Sequence, residues 1–278
     1  VLTTSDHALP QHEGVAVYSV VSRRSGGVSV GIDLNPNHAC NWACVYCQVE
    51  GLKRGAAPDL DPSQLETLLE HELARVTSPE FLAREVELPE HRQVSSLAFS
   101  GNGEPTTSPR FAEAVEIARR VLERRFTPGA VPLVLITNGS LLDRPTVQRA
   151  VARLGEVGEV WFKFDRATDV GMLEVNGVHG SVAAHRARLV ACASLAPTWV
   201  QTCCVAIDGA PMNELERHAW LDLMNGLVAE GVPLKGVRLY GLARESRQPM
   251  APRLSALPLR WLQGLAQEVK GLEVRFNE

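Results

Sequence analysis

Strand-like and helix-like runs alternate along nearly the whole chain, and this alternation restricts the fold more than any other feature. Residues 28–34 (VSVGIDL) read as a strand, and 61–76 (DPSQLETLLEHELARV) as a helix that Asp61 can cap. The same pairing recurs at 95–100 with 109–126, at 132–136 with 143–154, and at 159–164 with helical stretches inside 168–194. It recurs again at 198–207 with 213–229 and at 235–240 with 258–269, and a last short strand is predicted at 272–276. Six such units with short links predict a parallel sheet with helices outside it. No internal repeat, low-complexity segment or linker divides the chain. We therefore expect an N-terminal extension over 1–27 and one α/β domain over 28–278.

Composition narrows the class. The chain has 278 residues, 45% of them hydrophobic and 22% charged, which is ordinary for a globular protein. Its net charge of −4 gives no overall footprint for nucleic acid. No run of about 18 apolar residues suggests a membrane span. The opening VLTTSDHALPQHEG lacks both an initiator Met and the apolar core of a signal peptide. A cytoplasmic location is the expectation.

The chemistry-bearing residues fall in one place. CNWACVYC (40–47) follows the first predicted strand, GNGEPT (101–106) the second and TNGS (137–140) the third, and Lys163 and Asp165 mark the end of the fourth. The C-terminal ends of parallel strands form the active face of such folds, so these signals share one rim. Cys40, Cys44 and Cys47 are spaced C-x3-C-x2-C with no fourth cysteine nearby. Thiolates suit zinc or iron–sulfur clusters. A closed structural site takes four protein ligands, and three leave one position open. A [4Fe–4S] cluster on three cysteines keeps one iron free for a substrate or cofactor. The competing arrangement is a Cys3His zinc site completed by His38.

With these motifs in view, the sequence resembles the radical SAM superfamily. The resemblance rests on Cys40-x3-Cys44-x2-Cys47 with Tyr46 before the last cysteine, and on Gly101-Asn102-Gly103-Glu104-Pro105 after the second strand. It implies a partial (β/α)6 TIM-like barrel, matching the strand count. It also implies a [4Fe–4S] cluster on the three cysteines and S-adenosylmethionine (SAM) chelated to the open iron. Reductive cleavage of SAM would then give methionine and a 5′-deoxyadenosyl radical that takes a hydrogen atom from substrate, an oxidoreductase-type chemistry. The resemblance places Tyr46 near the adenine, Gly103 and Glu104 at the SAM amino group, and Asn138 near its ribose and carboxylate. Lys163 and Asp165 stand where polar side chains face SAM. A one-electron reductant such as flavodoxin or ferredoxin is an implied partner. Asn102 replaces one glycine of the usual pair. The strand-five pattern is partial: Ile207 and Gly209 fit, whereas Val205 and Met212 depart from it. Over roughly residues 28–245 the likeness extends to uncharacterised relatives of the wyosine-type tRNA-modifying enzymes, without carrying a substrate.

Other residues can choose the substrate. Lys163, Asp165 and Tyr240 are catalytic candidates, and Gln201 and Asn176 are rim candidates, Gln201 toward the cofactor. Arg238, Arg244, Arg247 and Arg253 can hold a phosphate or carboxylate. Cys203 and Cys204 are adjacent on a strand and should face opposite sides, which argues against an auxiliary cluster with Cys192. We expect a small-molecule substrate. The competing readings are an RNA-modifying enzyme, a peptide- or protein-modifying enzyme, and a non-enzymatic zinc or iron–sulfur binding protein. The sequence leaves open the bond made or broken, the fate of SAM and the oligomeric state.

Overall fold

A computed structural model describes residues 2, 14–22 and 24–277. Residues 1, 3–13 and 23 of the predicted extension lie outside the described residues. Eight strands form one sheet whose spatial order is their chain order. They are β1 (Ala16–Ser22), β2 (Gly27–Asp33), β3 (Val94–Phe99), β4 (Leu133–Thr137), β5 (Gly158–Lys163), β6 (Thr198–Cys203), β7 (Leu234–Tyr240) and β8 (Glu273–Asn277). β1 pairs antiparallel with β2, and every later neighbour is parallel. The order runs from β1 to β8 without pairing the two ends, so the sheet is a partial barrel. The sequence missed β1, which continues the sheet beyond the predicted six units.

Helices fill the crossovers: α1 (Leu65–Val76), α2 (Pro79–Glu85), α3 (Phe111–Arg125), α4 (Pro145–Gly155), α5 (Asp169–Asn176), α6 (Val182–Leu195), α7 (Glu214–Ala229) and α8 (Leu259–Glu268). Parallel strands require such long connections, and helices satisfy their own backbone while covering the sheet. Asp61 performs the predicted capping: its carboxylate accepts the Ser63 N–H, and Pro62 opens the 3-10 turn that leads into α1. Leu65, Leu69, Leu73 and Val76 line the buried stripe of α1. Each is worth about 1.5–3 kcal/mol relative to exposure.

Strand alternation divides the interior in two. Val28, Val30 and Ile32 of β2 face the helices and join the main core, whereas Ser29 faces the barrel lumen. Trp161 and Trp199 close the lumen near the strands' N-terminal ends, packed with Ala98 and Val134. A third apolar cluster of Trp42, Val45, Tyr46, Met172 and Val175 supports the cysteine loop. Among the described residues, no helix is long and apolar enough to cross a membrane.

Candidate active site

The loop after β2 carries the three cysteines, and its backbone is anchored from three directions. Ala43 and Val45 donate their N–H groups to the Asn176 and Val175 carbonyls at 3.0 and 2.9 Å. Those carbonyls belong to the last turn of α5, which has no intrahelical donor for them. From the loop after β7, Ser246 Oγ donates to Val45 O at 2.6 Å and Gln248 Nε2 to Val49 O at 2.8 Å. Within the loop, Gly55 N donates to Cys40 O at 3.0 Å. All six cysteines are free, and Cys40, Cys44 and Cys47 all line the cavity above the lumen. Burial pushes the Cys40 thiol up to about 12 and the Cys44 thiol up to about 11.

The GNGEP segment is the second wall. Gly103 lies against the cysteine loop, where a Cβ would come within 2.1 Å of Ala39 O and 2.6 Å of Asn35 Nδ2. Only glycine allows that approach. Gly101 has φ +148°, and a Cβ there would meet Asp33 Cγ at 2.5 Å. Asn102, the departure from the usual glycine pair, has a structural task. Its Nδ2 donates to Asp33 Oδ2 at 2.6 Å and its N–H to Asp33 Oδ1 at 3.1 Å, locking β2 to this loop.

Glu104 is buried but lines the cavity. Its Oε1 accepts from Thr106 N, Thr106 Oγ1 and Thr137 Oγ1 at 3.2, 2.6 and 2.6 Å, and Oε2 accepts from Asn138 N at 2.7 Å. Burial raises its pKa, against the pull of these donors. A carboxylate has about four lone-pair sites, so Oε2 keeps one toward the cavity. Asn138 also lines the cavity and donates through Nδ2 to Asn41 Oδ1 at 2.8 Å.

Lys163 and Tyr46 form the third wall. The Lys163 ammonium sits 5.0 Å from the centre of the Tyr46 ring and 3.4 Å from its hydroxyl. Burial opposes its charge, but Cys44, Asp165 and Cys47 outweigh it and leave its pKa raised. The Tyr46 hydroxyl donates to Asp165 Oδ2, and its ring meets Tyr240 edge-on at 6.3 Å. Burial, then Asp165, pushes the Tyr46 phenol well above its ordinary value, so it stays neutral.

Five sequence-derived candidates lie elsewhere than at the open rim: Asp165, Asn176, Gln201, Arg238 and Arg253, with Asn176 buried behind the cysteine loop. Asp165 is behind the wall, with Oδ1 accepting Cys203 N at 2.7 Å and Oδ2 engaged by Tyr46 and Asn176. Gln201 is fully buried, and its Oε1 and Nε2 both lack a protein partner. Arg238 is no rim cation. It stacks on Trp161 and Trp199 at 4.2 and 4.6 Å, near Glu159. Arg253 pairs with Asp208 on the surface. Tyr240, Arg244 and Arg247 do line the cavity. Cys203 faces it, whereas Cys192 and Cys204 lie in the core under the helices, so the three do not converge. His38 lines the cavity and its Nδ1 contacts Glu50 O at 2.8 Å. Among the described residues no three His, Cys, Asp or Glu side chains are grouped for a single metal ion. Sequence reasoning missed Tyr18, Arg24, Ser246 and Gln248; only the alternation of β1 could have signalled Tyr18.

The cavity encloses about 1220 Å³ and extends from the cysteines down to Ser29, Ser96 and Trp161. That exceeds the roughly 300–1,000 Å³ of one small-molecule site.

Residues 34–168 match the family model of the Radical SAM superfamily. The chain is 29% identical over 169 residues to a UPF0026 protein of Methanocaldococcus jannaschii, covering 59% of this chain and 44% of that one. It is 29% identical over 125 residues to a protein named GTPase Obg of Brachyspira hyodysenteriae, covering 44% of this chain and 15% of that one. The chain thus spans less than half of either relative. It contains no Gly-Lys dipeptide, so the second match brings no P-loop with it. In fold it is similar to Streptococcus suis SuiB bound to precursor peptide SuiA, with TM-score 0.62 at 11% identity over 91% of this chain and 49% of that one. It is also similar to TYW1 with a lysine-pyruvate adduct bound, with TM-score 0.55 at 17% identity over 87% of this chain and 72% of that one.

Proposed function

We propose that this chain, whose residues 34–168 match the Radical SAM superfamily model, is a radical SAM enzyme, that Cys40, Cys44 and Cys47 hold a [4Fe–4S] cluster, and that the adjoining cavity binds SAM beside a small-molecule substrate. The observation carrying this reading is the convergence of three free cysteines, Glu104, Asn138 and Lys163 on one cavity. The donor set fits: thiolates are soft ligands that suit an iron–sulfur cluster, and three of them leave one position open.

Bound together, the cluster and SAM would supply the one-electron chemistry for hydrogen-atom abstraction from substrate. The chain's own residues bind, orient and shield. The free lone pair of Glu104 Oε2 is the acceptor for the SAM amino group. Asn138 offers polar contacts at the next strand end, and the Lys163 ammonium is a counter-charge for a carboxylate. Gly103 keeps the cysteine loop close to this wall, and Ser246 and Gln248 fasten its far side. Trp161 closes the floor against water. A one-electron reductant such as flavodoxin or ferredoxin is the required partner.

The net charge of −4, which gives no overall footprint for nucleic acid, favours a small molecule over RNA. RNA retained on purification, or RNA binding that weakens steeply with salt, would reverse that preference. The deciding experiment is anaerobic reconstitution with iron and sulfide, followed by SAM and dithionite, reading 5′-deoxyadenosine. Nucleoside from the wild type and none from Cys44→Ala is the expected result. Zinc binding without iron uptake would overturn the reading.

A further inference from the structure

Asn176 ends α5, buried directly behind the cysteine loop. Its Nδ2 lies 3.4 Å from Cys44 Sγ and 2.6 Å from Asp165 Oδ2. A primary amide has two N–H donors, so one can serve each acceptor. The amide orientation follows from chemistry: exchanging O and N would press the amide oxygen against a carboxylate and leave the sulfur without a donor. Asp165 cannot turn away, because Cys203 N and the Tyr46 hydroxyl hold its two oxygens. The backbone repeats the lock, since the Asn176 carbonyl accepts Ala43 N at 3.0 Å. The Asn176 amide and Cys44 Sγ are therefore fixed to each other through both main chain and side chain.

We propose that Asn176 is a positioning residue whose N–H···S bond to Cys44 raises the reduction potential of the cluster, with Asp165 holding the amide in place. The inference rests on the cluster reading above. Hydrogen bonds to ligand sulfurs draw off electron density and favour the reduced, more negative state of an iron–sulfur cluster. A cluster held by the buried Cys44, close to the Asp165 carboxylate, would otherwise be harder to reduce, because an added electron meets that charge where screening is poor.

The test compares wild type with Asn176→Leu, which keeps the volume without the donor, and Asn176→Ala. Each is reconstituted anaerobically, assayed for iron, and titrated redox-potentiometrically with EPR detection in the absence of SAM. Both variants are expected to hold wild-type iron and to show a more negative midpoint potential, with a stiffer Fe–S(Cys) stretch by resonance Raman. Full iron with an unchanged potential would overturn the inference. So would loss of the cluster in both variants, which would make Asn176 a scaffold residue only. Wild type that assembles no four-iron cluster would instead remove the proposed function itself.

Discussion

Glu104 Oε2 accepts the backbone N–H of Asn138 at 2.7 Å, and this bond ties the loop after β3 to the loop after β4. Oε1 takes three further donors from Thr106 and Thr137. Glu104→Ala would leave two hydroxyls and two backbone N–H groups without that acceptor in a buried setting. Each such loss costs about 1–3 kcal/mol, moderated by relaxation and water entry. We expect Glu104→Ala to destabilise the metal-free protein by about 2–4 kcal/mol in urea unfolding. A stability equal to wild type would show that the carboxylate is not the knot between the two loops.

Gly103 leaves no room for a methyl group against Ala39 O and Asn35 Nδ2. Ala39 immediately precedes Cys40, so Gly103→Ala should displace the cysteine loop and leave less than about half of the wild-type iron after reconstitution. Gly226 is the matched control. It lies within α7, and a Cβ there meets nothing within 4 Å. Gly226→Ala should retain full iron and gain about 0.5–1 kcal/mol from helix propensity and a less flexible unfolded chain.

His185 is buried among Trp42, Phe162 and Phe164, with Nε2 2.9 Å from Lys163 O. Burial pulls its pKa down to about 4 from an ordinary 6.5. Between those values the unfolded chain binds a proton that the folded chain refuses, so stability falls as pH drops from about 6.5 toward 4. The full effect is about 3 kcal/mol. His185→Phe should flatten this part of the pH–stability curve relative to wild type, as read by urea unfolding at pH 5 and pH 7. Parallel curves would assign the loss to other groups.

The strand order and the cysteine loop were legible because periodicity and ligand spacing are local. Every predicted strand from 28–34 to 272–276 has its counterpart, and so has each predicted helix. The exceptions are instructive. The run 198–207 is two strands, Thr198–Cys203 and Val205–Ile207, because the chain leaves the main sheet after Cys204 and Val205–Ile207 pairs antiparallel with Leu254–Ala256. Apolarity alone carries no mark of that bend. Asp165 and Arg238 looked like rim groups because sequence gives the strand but not the depth along it. Their partners, Tyr46 and Asn176 for one and Glu159 with two tryptophans for the other, come from distant segments. Ser246 and Gln248, which brace the cysteine loop some 200 residues earlier in the chain, carry no local signal at all.

The opposite end of the barrel is held by Glu159, which accepts Trp161 Nε1 at 2.8 Å, Trp199 Nε1 at 3.0 Å and Lys235 Nζ at 2.9 Å. Arg238 Nη2 approaches the same carboxylate at 3.5 Å, and burial lowers the Arg238 pKa to about 10. Arg238 is buried and would lose its acidic neighbour, whereas the exposed Lys235 would return to solvent. Glu159→Ala should therefore destabilise by about 2–3 kcal/mol, and Glu159→Gln by less, since its amide oxygen still accepts an indole N–H. Because this plug lies at the end of the lumen away from the cysteines, folded Glu159→Gln should take up wild-type iron while melting lower. A variant that melts normally but loses iron would mean that the two ends of the barrel are coupled rather than independent.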